Sequence, residues 1–140
     1  TSVYVSEAVD AYAISAWCRN LPMDRPGAAA KKRRLMAQLA AEAARLHKNR
    51  IYHGEMNLNN ILCRESPDGS FCLYWIDNER TKQYQFFPYR RIVKNLHQLN
   101  RHQDCFNIYE RLRFFIIYCR QMGIHGKNRR KLLHMIESRF

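Results

Sequence analysis

Four polar residues stand at spacings that can carry chemistry. The run His53-Gly54-Glu55-Met56-Asn57-Leu58-Asn59-Asn60-Ile61-Leu62 sets a carboxylate and a carboxamide five residues apart. Trp75-Ile76-Asp77-Asn78-Glu79-Arg80 adds a second carboxylate at the end of an apolar run. Phosphoryl transfer from Mg-ATP needs such a set. One carboxylate orients the attacking hydroxyl, while a carboxamide and a second carboxylate hold the metal ions that bridge the phosphates. Glu55 takes the first place, Asn60 and Asp77 the metal-holding places, and His53 that of a residue bracing the loop. Each alone would pass for a turn residue in a polar loop beside a hairpin. In this order and context they point to one site.

The elements that must position them follow from local pattern. Residues 50–60 are dense in His and Asn and read as an ordered loop. Ile61-Leu62-Cys63 and Phe71-Cys72-Leu73-Tyr74-Trp75-Ile76 read as two strands, with Pro67-Asp68-Gly69 as the turn between them. Upstream, Ala28 to about Lys48 is rich in Ala, Leu, Met and Lys and predicts a helix. Leu35, Leu39, Ala43 and Leu46 repeat along it at helical spacing, which makes it the spine of the core. Residues 9–20 predict a helix with Ala11, Ile14, Trp17 and Cys18 on one face, ended by the breaker-rich loop 21–27. Ser2-Val3-Tyr4-Val5-Ser6-Glu7 alternates as a short strand does. Beyond Pro88 the chain reads as helical: Leu112, Phe115, Cys119 and Met122 form a stripe, Gly123 and Gly126 break it, and a basic helix runs from about Lys127 to Glu137. The expected class is mainly α with a small β-hairpin (α+β).

Composition bounds the rest. The chain has 140 residues, 46% of them apolar, enough for one domain with a buried core. The longest uncharged apolar run, Phe114 to Cys119, is far short of the ~18 residues that span a bilayer as a helix. Net charge is +12 and lopsided: residues 80–140 hold 14 Lys and Arg against 3 Asp and Glu. A basic half implies an anionic partner such as phosphate, nucleic acid or an anionic membrane surface. Helix, Gly-bounded turn and basic helix also outline a DNA reader, with Lys127, Arg129, Arg130 and Lys131 beside Arg111, Arg113 and Arg120. Leu132, Leu133, Met135 and Ile136 leave such a helix a narrow reading face, so nucleic acid is the weaker reading. Five cysteines without a Cys-x-x-Cys pair read as buried side chains in a reducing compartment. His47, His97, His102, His125 and His134 show no metal-ligand spacing. Lys31-Lys32-Arg33-Arg34 reads first as the solvated opening turn of a helix; its charge opposes the helix dipole, which is no more than a hint of an anionic neighbour.

The loop His53 to Leu62 and the motif Ile76-Asp77-Asn78-Glu79-Arg80 resemble those of the lipopolysaccharide kinase (Kdo/WaaP) family, a bacterial branch of the protein-kinase-like fold. The likeness continues in the segments 90–100 and 111–118 and spans the chain from its opening strand to about Gly123. It implies a kinase-like C-terminal lobe over residues 1–140: hinge strand 1–7, catalytic loop, hairpin and metal motif 50–80, helices 89–140. The sequence starts at Thr1, and the resemblance implies that an N-lobe with the phosphate loop and strand Lys precedes it in a longer protein. Implied cofactors are ATP and Mg²⁺. The implied reaction moves the ATP γ-phosphate to a Kdo or heptose hydroxyl of the lipopolysaccharide inner core, or of another lipid A-linked sugar. Glu55 would orient that hydroxyl, with His53 and Asn60 beside it, and Asn60 and Asp77 would hold the metal. Glu7 would face adenine, and Asn57, Arg80, Arg90 and Arg91 would contact phosphate or acceptor. The implied location is cytoplasmic, peripheral at the inner face of the inner membrane. At two positions the sequence departs from the family. Glu55 replaces an Asp, and Asn95 stands where an Asp braces the loop, so Asn95 is expected to accept loop hydrogen bonds more weakly. A kinase for another small molecule or protein, a pseudokinase scaffold and a basic nucleic-acid module are the alternatives.

Overall fold

The computed structural model describes residues 10–138; the expected strand at residues 2–7, Glu7 included, lies outside them. In chain order the elements are β1 (Tyr12–Ala13), α1 (Ile14–Asn20), α2 (Ala28–Lys48), β2 (Ile51–Tyr52), β3 (Ile61–Glu65) and β4 (Phe71–Trp75). Then come β5 (Lys82–Gln83), α3 (Tyr89–Asn100), α4 (Ile108–Met122) and α5 (Gly126–Glu137). The mainly helical class with a small hairpin is the observed one.

The spine is α2. One side of it buries Leu35, Met36, Leu39 and Leu46 against Ile14, Met56, Leu58, Ile61, Cys63 and Phe71. The other side brings Ala40, Ala43 and Ala44 against Ile92, Val93, Leu96, Phe115, Tyr118, Cys119, Leu132 and Ile136. The small side chains of Ala40, Ala43 and Ala44 allow α4 to approach α2 closely, because nothing larger than a methyl stands between the backbones. The loop carrying Glu55 is thus packed on one core while the helices beneath it belong to the other.

The hairpin of β3 and β4 pairs from Ile61↔Trp75 to Glu65↔Phe71, one residue short of the expected end, so Ile76 lies outside the strand. Its turn is closed by Ser66 N–H to the Ser70 carbonyl (2.8 Å), with Asp68 Oδ1 accepting from Ser70 N–H (3.0 Å) and Gly69 at φ 86°. A left-handed residue is needed there, and glycine meets it without strain.

Three expectations need correction. The first helix begins at Ile14, and Ala11 is outside it, because Tyr12 and Ala13 pair with Cys63 and Leu62. Ladder hydrogen bonds to the hairpin outweigh a weak local helical pattern. Within the expected loop 50–60, Ile51 and Tyr52 form a strand against Gln83 and Lys82. On α4, Phe115 and Cys119 are buried with Tyr118, while Leu112 is exposed and Met122 half-buried, so the inward stripe is rotated towards Tyr118. The helix ends where the sequence implied, and its start is set by a motif that the sequence reading did not pick out. A capping box of Asn107 and Glu110 opens it, and Gly123 in the left-handed region closes it.

The basic start of α2 finds its acceptors within the chain. Lys31 pairs with Glu65 (3.2 Å), Lys32 with Glu110 (3.3 Å), and Arg34 donates to the Gly69 carbonyl (3.1 Å). All five cysteines are free thiols and four are buried. Burial pushes Cys18 and Cys63 up to about 12, which keeps them protonated and inert near neutrality. No helix among the described residues is long and apolar enough to cross a membrane.

Candidate active site

His53 ties the two halves of the motif together. Its Nδ1 accepts the Glu55 amide N–H (3.2 Å), so the proton stands on Nε2 and is donated to the Ile76 carbonyl (3.0 Å). One buried imidazole therefore fixes the backbone of Glu55 to the residue before Asp77. Asn60 makes a second tie. Its Nδ2 donates to the Glu55 carbonyl (3.0 Å), and its own carbonyl accepts the Ile76 N–H (3.0 Å). Asn57 N–H also reaches the Glu55 carbonyl (2.9 Å), and Asn57 Oδ1 accepts from Asn59 N–H (3.0 Å). Met56 and Leu58, buried in the core, anchor the loop from below.

Two backbone features follow from this bracing. A Cβ on Gly54 would lie 2.3 Å from Arg80 Cβ, so only glycine lets the segment after Asp77 pass this close. Asp77 has φ 58°, a conformation that costs a non-glycine residue on the order of 1–3 kcal/mol and persists only where neighbours impose it. The two bonds on Ile76 hold the peptide that leads into Asp77. Asp77 is exposed, Glu55 is half-exposed, and Arg80 Nη1 stands 3.8 Å from Glu55 Oε1. The carboxylates thus face solvent, from a rigid floor, where an acceptor can approach.

The donor set suits a hard divalent cation. With its Nδ2 engaged, Asn60 offers Oδ1, and Asp77 offers a carboxylate; oxygen ligands of this kind suit Mg²⁺. Arg91 and Lys94 stand over the Tyr52 ring at 5.0 and 5.9 Å, one residue before His53, while Arg90 is exposed in the first turn of α3. His53, Glu55, Asn57, Asn60, Asp77 and Arg80 are brought together; Arg91 lies against Tyr52 of β2 instead, and Arg90 faces solvent. Glu7 lies outside the described residues.

Beneath the loop are residues that the sequence did not single out. Met56 N–H donates to Gln98 Oε1 (3.0 Å) and Leu58 N–H to His102 Nε2 (3.2 Å). Asn95 does reach the loop, but in the opposite sense to that expected: its Nδ2 donates to the His53 carbonyl (2.7 Å). The available signal was polarity on an apolar face, since Asn95 and Gln98 share the buried side of α3 with Ile92, Leu96 and Leu99. Among the described residues one group, His102, Asp104 and Cys105, has metal-ligand atoms within 4.8 Å of one another. The bond from Leu58 N–H places the His102 proton on Nδ1, which leaves the neutral ring no lone pair for an ion.

The profile of the lipopolysaccharide kinase (Kdo/WaaP) family matches residues 3–131 of the chain. No curated protein matches it. Among solved structures, one described as WaaP in complex with acyl carrier protein superposes with a TM-score of 0.77 at 22% identity. The alignment covers 94% of this chain and 56% of that one, so this chain has the fold of part of that protein and spans just over half its length.

Proposed function

The chain belongs to the lipopolysaccharide kinase (Kdo/WaaP) family, and on that premise we propose that it is the lobe bearing the catalytic loop of an ATP-dependent sugar kinase. The acceptor is a Kdo or heptose hydroxyl of the lipopolysaccharide inner core, reached from the cytoplasmic face of the inner membrane. The observation that carries this reading is the double tie of His53 and Asn60 to Ile76, which holds Glu55, Asn60 and Asp77 in one frame. Glu55 accepts a hydrogen bond from the attacking hydroxyl and takes its proton as the new oxygen–phosphorus bond forms and the bond from the γ-phosphorus to the β,γ-bridging oxygen breaks, releasing ADP. Asn60 and Asp77 would hold Mg²⁺, which screens the phosphate charge. Arg80, beside Glu55, faces the same space and suits a phosphate oxygen; Arg91 and Lys94 offer positive charge to an anionic acceptor.

The test uses the full-length protein containing this chain, with Mg-ATP and isolated core oligosaccharide. Wild type transfers phosphate. Glu55→Gln lowers kcat by about 10²–10⁴-fold with little change in the KM for ATP, the range expected for loss of a general base. Asp77→Ala abolishes transfer and weakens Mg²⁺-dependent nucleotide binding. Transfer that survives Glu55→Gln removes Glu55 from its role; a wild type that binds no nucleotide and transfers no phosphate overturns the reading.

A further inference from the structure

The loop that carries Glu55 is held from below by a chain of side-chain hydrogen bonds whose direction can be assigned at every step. Asn95 uses both amide hydrogens, one on the His53 carbonyl (2.7 Å) and one on Gln98 Oε1 (3.1 Å). Its Oδ1 is therefore an acceptor, and His47 Nε2, 3.0 Å away, must carry the proton. His47 Nδ1 is then an acceptor, filled by the Tyr118 hydroxyl at 2.6 Å. Gln98 Oε1 also receives the Met56 N–H (3.0 Å), and Gln98 Nε2 points to the Gly54 carbonyl (3.5 Å). Tyr118 of α4, His47 of α2, and Asn95 and Gln98 of α3 so form one buried line ending on the backbone either side of Glu55.

We propose that Gln98 is the positioning residue for Glu55, and that Tyr118, His47 and Asn95 fix its orientation. This rests on the reading of Glu55 as the carboxylate that orients the acceptor. The physical case is directional. An amide side chain can flip, and a flipped Gln98 would turn its NH₂ towards the Met56 N–H and leave that donor buried and unpaired. Asn95 Nδ2 prevents the flip by donating to Oε1, but only while Asn95 is itself held by the His47 proton. That proton stays on Nε2 because the buried Tyr118 hydroxyl has no acceptor for its hydrogen other than His47 Nδ1 among the described residues. A neutral asparagine serves this line where a carboxylate could not, since the His53 carbonyl and Gln98 Oε1 both need a donor.

The experiment uses the full-length protein and three variants. Gln98→Met keeps the volume and loses the acceptor. Its kcat should fall by about 10–100-fold, the effect of an ~1 Å misplacement, with the KM for ATP within twofold of wild type. The Met56 amide should exchange with solvent at least about tenfold faster, a local loss of protection. Gln98→Glu retains an acceptor for Met56 and should restore most of both. Tyr118→Phe leaves the loop contacts untouched yet should lower kcat about threefold or more and speed the same amide; it decides the matter should Gln98→Met not fold. An unchanged kcat in Gln98→Met, a loss that Gln98→Glu does not restore, or wild-type Met56 exchange in both Gln98→Met and Tyr118→Phe overturns the proposal. If the wild type transfers no phosphate, the kinase reading has failed. Met56 exchange then still decides whether the line holds the loop.

Discussion

An alanine methyl at Gly54 would meet Arg80 Cβ at 2.3 Å, on a backbone that His53 and Asn60 hold on both sides. The loop cannot yield without breaking those bonds, so the segment after Asp77 must move instead. Gly54→Ala is expected to lower kcat by about 100-fold or more while leaving the helices folded, as read by phosphate transfer against far-ultraviolet circular dichroism. Asn95→Asp tests a different property of a single side chain. It removes the donor to the His53 carbonyl and Gln98 Oε1 and aims acceptors at acceptors, which should cost about 1–3 kcal/mol in a denaturant melt. A gain in stability would show that a carboxylate serves there after all. At this scale the sequence reveals residue types and spacing, which is why Glu55, Asn60 and Asp77 could be grouped. It does not reveal which way an amide points. Asn95 was expected to accept from the loop, and only the positions of His47 and Gln98 around it show that it donates.

The hairpin is the element that delivers Asp77, and α2 is what holds the hairpin. Gln38 clamps its second strand with two bonds, Nε2 to the Phe71 carbonyl (2.9 Å) and Oε1 from the Phe71 N–H (2.7 Å). Arg34 and Lys31 grip the turn and the end of β3, and Trp75 Nε1 reaches Glu42 (3.4 Å). Gln38→Leu would leave both Phe71 backbone groups in a partly buried place without partners. A loss of about 1–3 kcal/mol in unfolding free energy, read as a lower denaturant midpoint, is expected, and half-maximal transfer should need more Mg²⁺ because Asp77 is no longer held in register. An unaltered midpoint would mean that water replaces the clamp. Elements of this size were legible in proportion to how local their bonds are. α2 and the hairpin with its Pro-Asp-Gly turn are set by neighbours within a few residues, and both could be read. β1, β2 and β5 are two residues each, and their partners lie roughly 30 to 50 residues away, so nothing local marks them.

Across the molecule, the surplus of positive charge was plain, but its use was not. Part of it is taken up internally, where Lys32 and Glu110 join the start of α2 to the start of α4 in a mostly buried pair. The helices α2, α3 and α4 meet at His47, whose ring bonds Asn95 and Tyr118 and where burial lowers the imidazole from its ordinary 6.5 to about 4. His47 binds its proton more weakly folded than unfolded, so acid favours the unfolded chain. The stability it contributes is fully present above pH 6.5 and is lost as pH falls towards 4, up to about 3 kcal/mol by linkage at 1.36 kcal/mol per unit. Burial lowers His102 as well, which steepens the same limb. Denaturant melts between pH 8 and pH 4 should therefore show a decline beginning near 6.5. His47→Gln, which offers one donor and one acceptor but no titrating group, should flatten it. An equally steep decline in that variant would assign the acid limb to His102 and the carboxylates, and His47 would then be a packing residue alone. Protonation would put a hydrogen on His47 Nδ1 as well, so that the Tyr118 oxygen must accept and its own hydrogen loses its partner, with an imidazolium charge left buried beneath the loop. The loop under Glu55 should loosen in the same window, visible as faster Met56 amide exchange before global unfolding begins.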